Sequence, residues 1–125
     1  MSSFTRLWKS KIMKVFRYMW TASSLDYTRE SLYEDLKNNS VKNAVYLLAL
    51  PENDLHVMDI YPSKILKQRY FRKSDQWIIG AAATKEEAEE LGCSIINMVF
   101  QKTGKTDVNA YLRPVLEAGP EGRDA

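Results

Sequence analysis

His56 and Cys93 are the single histidine and the single cysteine of this 125-residue chain. Any reaction that needs an imidazole base or a thiolate nucleophile must therefore use them. A Cys–His pair would define a small hydrolase, provided the fold brought the two side chains together and kept both accessible. The sequence shows no third member to orient the histidine and no identifiable oxyanion site. His56 falls in an expected strand beside a turn, and Cys93 falls in an expected helix, where it reads as a small buried apolar group. Catalysis is therefore the weaker expectation, with Cys93 and His56 as its only candidates.

Metal and nucleotide chemistry find less support. One histidine and one cysteine cannot complete a closed zinc set. Asp54 and Asp59 flank His56 across a turn and a strand without a diagnostic ligand spacing. The stretch GAAAT at 80–84 joins an expected strand to an expected helix, where backbone N–H groups can hold an anion. It lacks both glycine-rich phosphate fingerprints, and the glutamates just downstream repel phosphate. No cofactor and no metal are expected. The lone cysteine excludes an intrachain disulfide and favours a reducing compartment.

The charge distribution is more informative than the catalytic inventory. Residues 1–25 carry Arg6, Lys9, Lys11, Lys14 and Arg17 and no acidic residue, leaving 13 basic against 16 acidic residues in the remainder. A net +2 chain is thus a +5 arm attached to a −3 body. At helical spacing, Phe4, Leu7, Trp8, Ile12, Val15, Phe16 and Met19 share one side and Arg6, Lys9, Ser10, Lys14 and Arg17 the other. The pattern predicts a basic amphipathic N-terminal helix, with Arg6, Trp8, Lys9, Lys14, Phe16, Arg17 and Trp20 as its partner-binding residues. Such a helix could dock in a groove on an acidic protein, lie on an anionic membrane surface, or pack on its own domain. Nucleic acid fits less well, because the aromatics and the cations segregate to different faces. A second basic cluster, Lys64, Lys67, Arg69, Arg72 and Lys73, keeps that reading open.

The remaining elements follow from periodicity and punctuation. SSLDYTRESLYEDLKNNS predicts a second helix, with Ser24 at its N-cap. The runs AVYLLAL at 44–50 and LHVMDIY at 55–61 predict an antiparallel strand pair turning at 51–54, the first of the two central and buried on both faces. A helix is expected from Pro62 or Ser63 through Phe71, then a third strand, QWIIGAAA at 76–83, whose Gly80 and alanines admit a closely packed helix. Thr84 and Glu87 have capping-box spacing for that helix, Ala88, Leu91, Ile95, Met98 and Val99 form its apolar stripe, and Gly104 stops it. A short last helix is expected to end before Pro114.

The expected fold class is α+β, with N-terminal helices followed by a β-β-α-β-α unit and a three-stranded sheet under helical cover. Residues 1–23 form the arm and hinge, 24–113 the compact domain and 114–125 a flexible tail. Leu47, Ile79, Leu91 and Ile95 are the expected core markers. No apolar run reaches the length of a bilayer span, and Lys and Arg interrupt the N-terminal stretch where a signal peptide would need an apolar core. The functional expectation is a non-enzymatic protein-binding or adaptor domain, cytoplasmic or peripheral to a membrane. Its partner is an acidic protein surface, with an anionic membrane, nucleic acid or a second copy as alternatives.

Overall fold

The strand-forming run VFRYMWT, rich in β-branched and aromatic side chains, supplies the first element of the sheet. In the computed structural model, which describes residues 14–38, 40–42, 44–51, 57–67 and 76–118, Lys14–Thr21 is strand β1. Helix α1 (Arg29–Lys37) follows, then β2 (Tyr46–Leu50), β3 (Asp59–Pro62), a 3-10 turn (Ser63–Lys67), β4 (Trp77–Ala82), α2 (Lys85–Thr103) and α3 (Val108–Leu116). The architecture is α+β, with a four-stranded mixed sheet in the order β1-β4-β2-β3. β1 runs parallel to β4, while β2 is antiparallel to both β4 and β3.

The expected N-terminal helix is thus corrected from Lys14 onward, and the sheet gains a fourth strand. The apolar stripe assigned to one helical face is divided differently in a strand. Val15, Phe16 and Met19 are almost wholly buried, Arg17 is exposed, and Tyr18 and Trp20 are half-buried. Pairing with β4 and packing against α1 outweigh the local helical periodicity, which is a weak prior beside tertiary burial. Phe4, Leu7, Trp8 and Ile12 lie outside the described residues, as does the expected turn beyond Pro51.

The second helix starts later than its sequence implied. Thr28 is its N-cap, the Thr28 hydroxyl accepting from the Ser31 N–H at 3.1 Å. Ser24 instead donates its hydroxyl to the Glu87 carboxylate at the start of α2, tying two distant segments together. The helix expected after Pro62 is a 3-10 turn over Ser63–Lys67, and residues 68–75 lie outside the description. β2 and β3 pair as expected, Leu47 opposite Tyr61 and Leu48 opposite Ile60.

β4 is the centre of the molecule, with every residue from Trp77 to Ala82 buried. α2 packs across it and across β2 and β3, and α1 packs on β1. The buried face of α2 is Ala88, Gly92, Ile95 and Val99. Leu91 is only half-buried, and Phe100 is 48% exposed. Ala88, Gly92, Ile95 and Val99 hold the inward positions of the helix, which leaves Leu91 at the edge of that face and Phe100 outside it. Leu47, Ile79 and Ile95 are buried as expected. Fully burying side chains of this size stabilises by about 1.5–3 kcal/mol each.

The caps of α2 match the sequence. Thr84 Oγ1 accepts from the Glu87 N–H at 3.2 Å, and Gly104 closes the other end at φ 73°. α3 departs from expectation by continuing through Pro114 to Leu116. Leu112, Val115 and Leu116 are all buried, and Arg113 donates to the Pro51 carbonyl at 2.7 Å while Asn109 donates to the same oxygen at 3.2 Å. This packing and bridging offset the cost of an interior proline, about 3 kcal/mol. No helix among the described residues is long and apolar enough to cross a membrane.

Two glycines test this packing in opposite directions. A Cβ at Gly80 would stand 3.0 Å from the Trp20 carbonyl oxygen, a backbone atom that cannot swing aside. Gly80→Ala should destabilise by about 1–3 kcal/mol. Gly92 faces only side-chain tips at 3.4 Å, and alanine is the better helix former by about 1 kcal/mol, so Gly92→Ala should be neutral or stabilising. Urea unfolding of both variants checks the pair, and the reverse order would contradict the packing described.

Candidate functional site

The pairing of β1 with β4 is interrupted. Lys14 and Val15 stand opposite Trp77 and Ile78, and the next matched pairs are Trp20 with Gly80 and Thr21 with Ala81. β1 thus advances five positions where β4 advances two, and the surplus residues bulge out of the pairing. Bulges of this kind re-aim side chains and bend a strand. Here Phe16 turns wholly inward, where its ring lies 5.9 Å from Tyr18 and 5.8 Å from Trp20. Arg17 turns outward, its guanidinium 5.6 Å from the Tyr33 ring of α1, which Lys37 also approaches at 5.8 Å. Such contacts contribute about 0.5–1 kcal/mol at exposed sites.

Beside the bulge lies a cleft of about 290 Å³ lined by Tyr18, Met19, Trp20 and Thr21 from β1, Arg29 from the first turn of α1, and Met98 and Lys102 from the last turns of α2. Arg29 and Lys102 are exposed, and no carboxylate is among the described lining residues. A smaller cavity of about 120 Å³ shares Tyr18 and Arg29 and is completed by Arg17, Tyr33, Glu30 and Glu34. Among the described lining residues, Arg29 and Lys102 charge the larger cleft, and the carboxylates Glu30 and Glu34 enter only the smaller cavity.

The residues expected to bind a partner are divided by the fold. Arg17 and Trp20 reach this surface. Lys14 is half-buried with its ammonium 5.7 Å from the Trp77 ring, so it lies at the start of β4 rather than at the cleft. Phe16 is 0% exposed and cannot contact a partner, which corrects that assignment. Arg6, Trp8 and Lys9 lie outside the described residues. Tyr18, Arg29, Met98 and Lys102 were not singled out from sequence. They come from three separate elements, and only the bulge brings them together.

The catalytic candidates fare differently. Cys93 is exposed on α2 rather than buried, because its neighbour Gly92 takes the inward position. His56 lies outside the described residues, so the Cys93–His56 pair has no described geometry. Among the described residues, no three of His, Cys, Asp and Glu are placed to hold a metal ion.

Among the described residues, one ionisable group is clearly shifted. The Tyr61 phenol on β3 is pushed above its ordinary value of 10.0, first by burial, then by the negative Asp59 carboxylate, to which its hydroxyl donates at 3.2 Å. A hydrogen bond from the Gln76 side chain works in the opposite direction. The folded state thus holds this proton more tightly than the unfolded chain. Its contribution to stability is complete below the unfolded pKa and is lost as pH rises through the higher folded value. Between about pH 9 and about pH 11, stability should fall more steeply in the native chain than in Tyr61→Phe. Denaturant titrations at the two ends of that range measure the difference, and parallel slopes would show that this phenol does not contribute.

Compared with protein-family models, with curated proteins and with solved structures, the chain matches none.

Proposed function

We propose that this chain is a non-enzymatic protein-binding or adaptor domain that receives an acidic protein surface at the cleft beside the β1 bulge. The observation that carries the reading is the convergence of Tyr18, Trp20, Met98 and Arg29 on one concavity, with Lys102 at its rim. Aromatic residues, methionine and arginine are the types enriched where proteins bind one another, and they supply most of the affinity when packed into a pocket. The half-buried rings and the Met98 thioether offer apolar contact area, and Met98 can adapt its shape to a partner. Arg29 and Lys102 then select the partner by sign. A carboxylate entering between them meets two cations and, among the described lining residues, no carboxylate, so approach is steered as well as held.

The contact element in this reading is a bulged strand flanked by two helices. Arg17 extends the cationic surface on one side, while Glu30 and Glu34 bound it and disfavour acidic groups that stray toward α1.

A fluorescein-labelled Asp/Glu-rich peptide carrying a single Leu should bind the full chain, with affinity falling as salt rises because the attraction is screened. Reversing both charges, Arg29→Glu with Lys102→Glu, should weaken it by about tenfold or more, since like charges would then face each other. Both residues are exposed, so circular dichroism of the variant should match the native chain. Unchanged affinity in the double variant, or binding indifferent to salt, would sink the proposal.

A further inference from the structure

A second concavity, of about 370 Å³, lies at the opposite edge of the sheet. It sits between the segment before β2 and the 3-10 turn after β3. It is lined by the buried Leu66 with Val41 and Ala44, and by Lys42, Lys64, Lys67 and Ser63, with no carboxylate among the described lining residues. All three lysines are exposed. In a 3-10 turn, residues three apart eclipse one another roughly 6 Å apart along the axis, so Lys64 and Lys67 project the same way. Two like charges held in that arrangement repel, and Lys42 adds a third from across the groove.

The two lysine-bearing segments are pinned by their backbones. The Ser63 N–H donates to the Val45 carbonyl at 2.8 Å, and the Val45 N–H donates to Ser63 Oγ at 3.2 Å. The Lys42 N–H donates to the Tyr27 hydroxyl at 3.0 Å. The groove is therefore fixed in shape, while the ammonium groups at its rim can swing to meet a ligand.

We propose that this groove binds a compact anion carrying two or more phosphate groups. Among the described lining residues there is no arginine to offer a single carboxylate a planar fork and no aromatic ring to stack a base. What it offers is three mobile point charges around one concavity. These suit a small ligand whose several oxygens can each accept from a different ammonium. The volume falls in the range of small-molecule sites, about 300–1,000 Å³. The groove shares no residue with the cleft beside β1, so it stands apart from the protein-binding reading.

Calorimetry of the full chain with inorganic tripolyphosphate at low salt tests the site, with sulfate at matched ionic strength as the control. One-to-one binding is expected, weakened about two- to fivefold by Lys42→Gln and about tenfold by Lys64→Gln with Lys67→Gln. Arg29→Glu with Lys102→Glu should leave it unchanged. Vesicles of phosphatidylcholine with phosphatidylinositol bisphosphate identify the source. Retention lost with the same lysines assigns a lipid head group, whereas tripolyphosphate binding without retention assigns a soluble phosphate. Equal affinity for sulfate, undiminished binding by the triple Lys→Gln variant, or tighter lysine-dependent binding of a single-stranded oligothymidylate would each overturn the proposal.

Discussion

Gly80 is the point at which the layers of this protein close on one another. The Trp20 carbonyl from β1, Leu48 from β2 and Leu91 from α2 all reach the place where a Cβ would sit. β4 can be buried on both faces only because that position is empty, and the bulge of β1 can rejoin β4 only because Trp20 is allowed so near. The cleft residues on β1 take their places from that rejoining. A side chain at Gly80 would press first on a backbone carbonyl, and through it on the strand that carries Tyr18 and Trp20.

The same economy governs α2. Ala88, Gly92, Ile95 and Val99 set its phase, with Leu48 and Met58 beside Gly92. Met98 and Lys102 are therefore set down near the bulge by a packing decision made two turns earlier in the helix. At the far end of the sheet, the Pro51 carbonyl is held by both Asn109 and Arg113, which fastens α3 to the end of β2. These constraints leave the cleft beside β1 on a scaffold whose parts are fixed from both ends.

The elements with strong local signals were legible in the sequence. Thr84 with Glu87 and Gly104 marked both ends of α2, and the apolar run before Pro51 marked β2 as central. Where the reading failed, tertiary contacts had overridden a local pattern. In VFRYMWT, helical and strand periodicities coexist, and the parallel partner that decides between them lies some sixty residues away. Pro114 reads as a stop, yet the burial of Val115 and Leu116 carries the helix past it. Of the surface beside the bulge, Arg17 and Trp20 were visible in the sequence as a cation and an aromatic ring. Arg29, Met98 and Lys102 were not, because no spacing relates residues that a bulge alone gathers.

The central claim is that 14–21 is a bulged strand parallel to β4, since both the sheet order and the cleft rest on it. Nuclear Overhauser contacts between backbone protons of the full-length protein test it most directly. The account predicts extended shifts through 14–21, with cross-strand contacts joining Val15 to Ile78 and Trp20 to Gly80 and an irregular stretch between them. Helical shifts with sequential amide–amide contacts through 14–21, and no contact from Trp20 to Gly80, would contradict it.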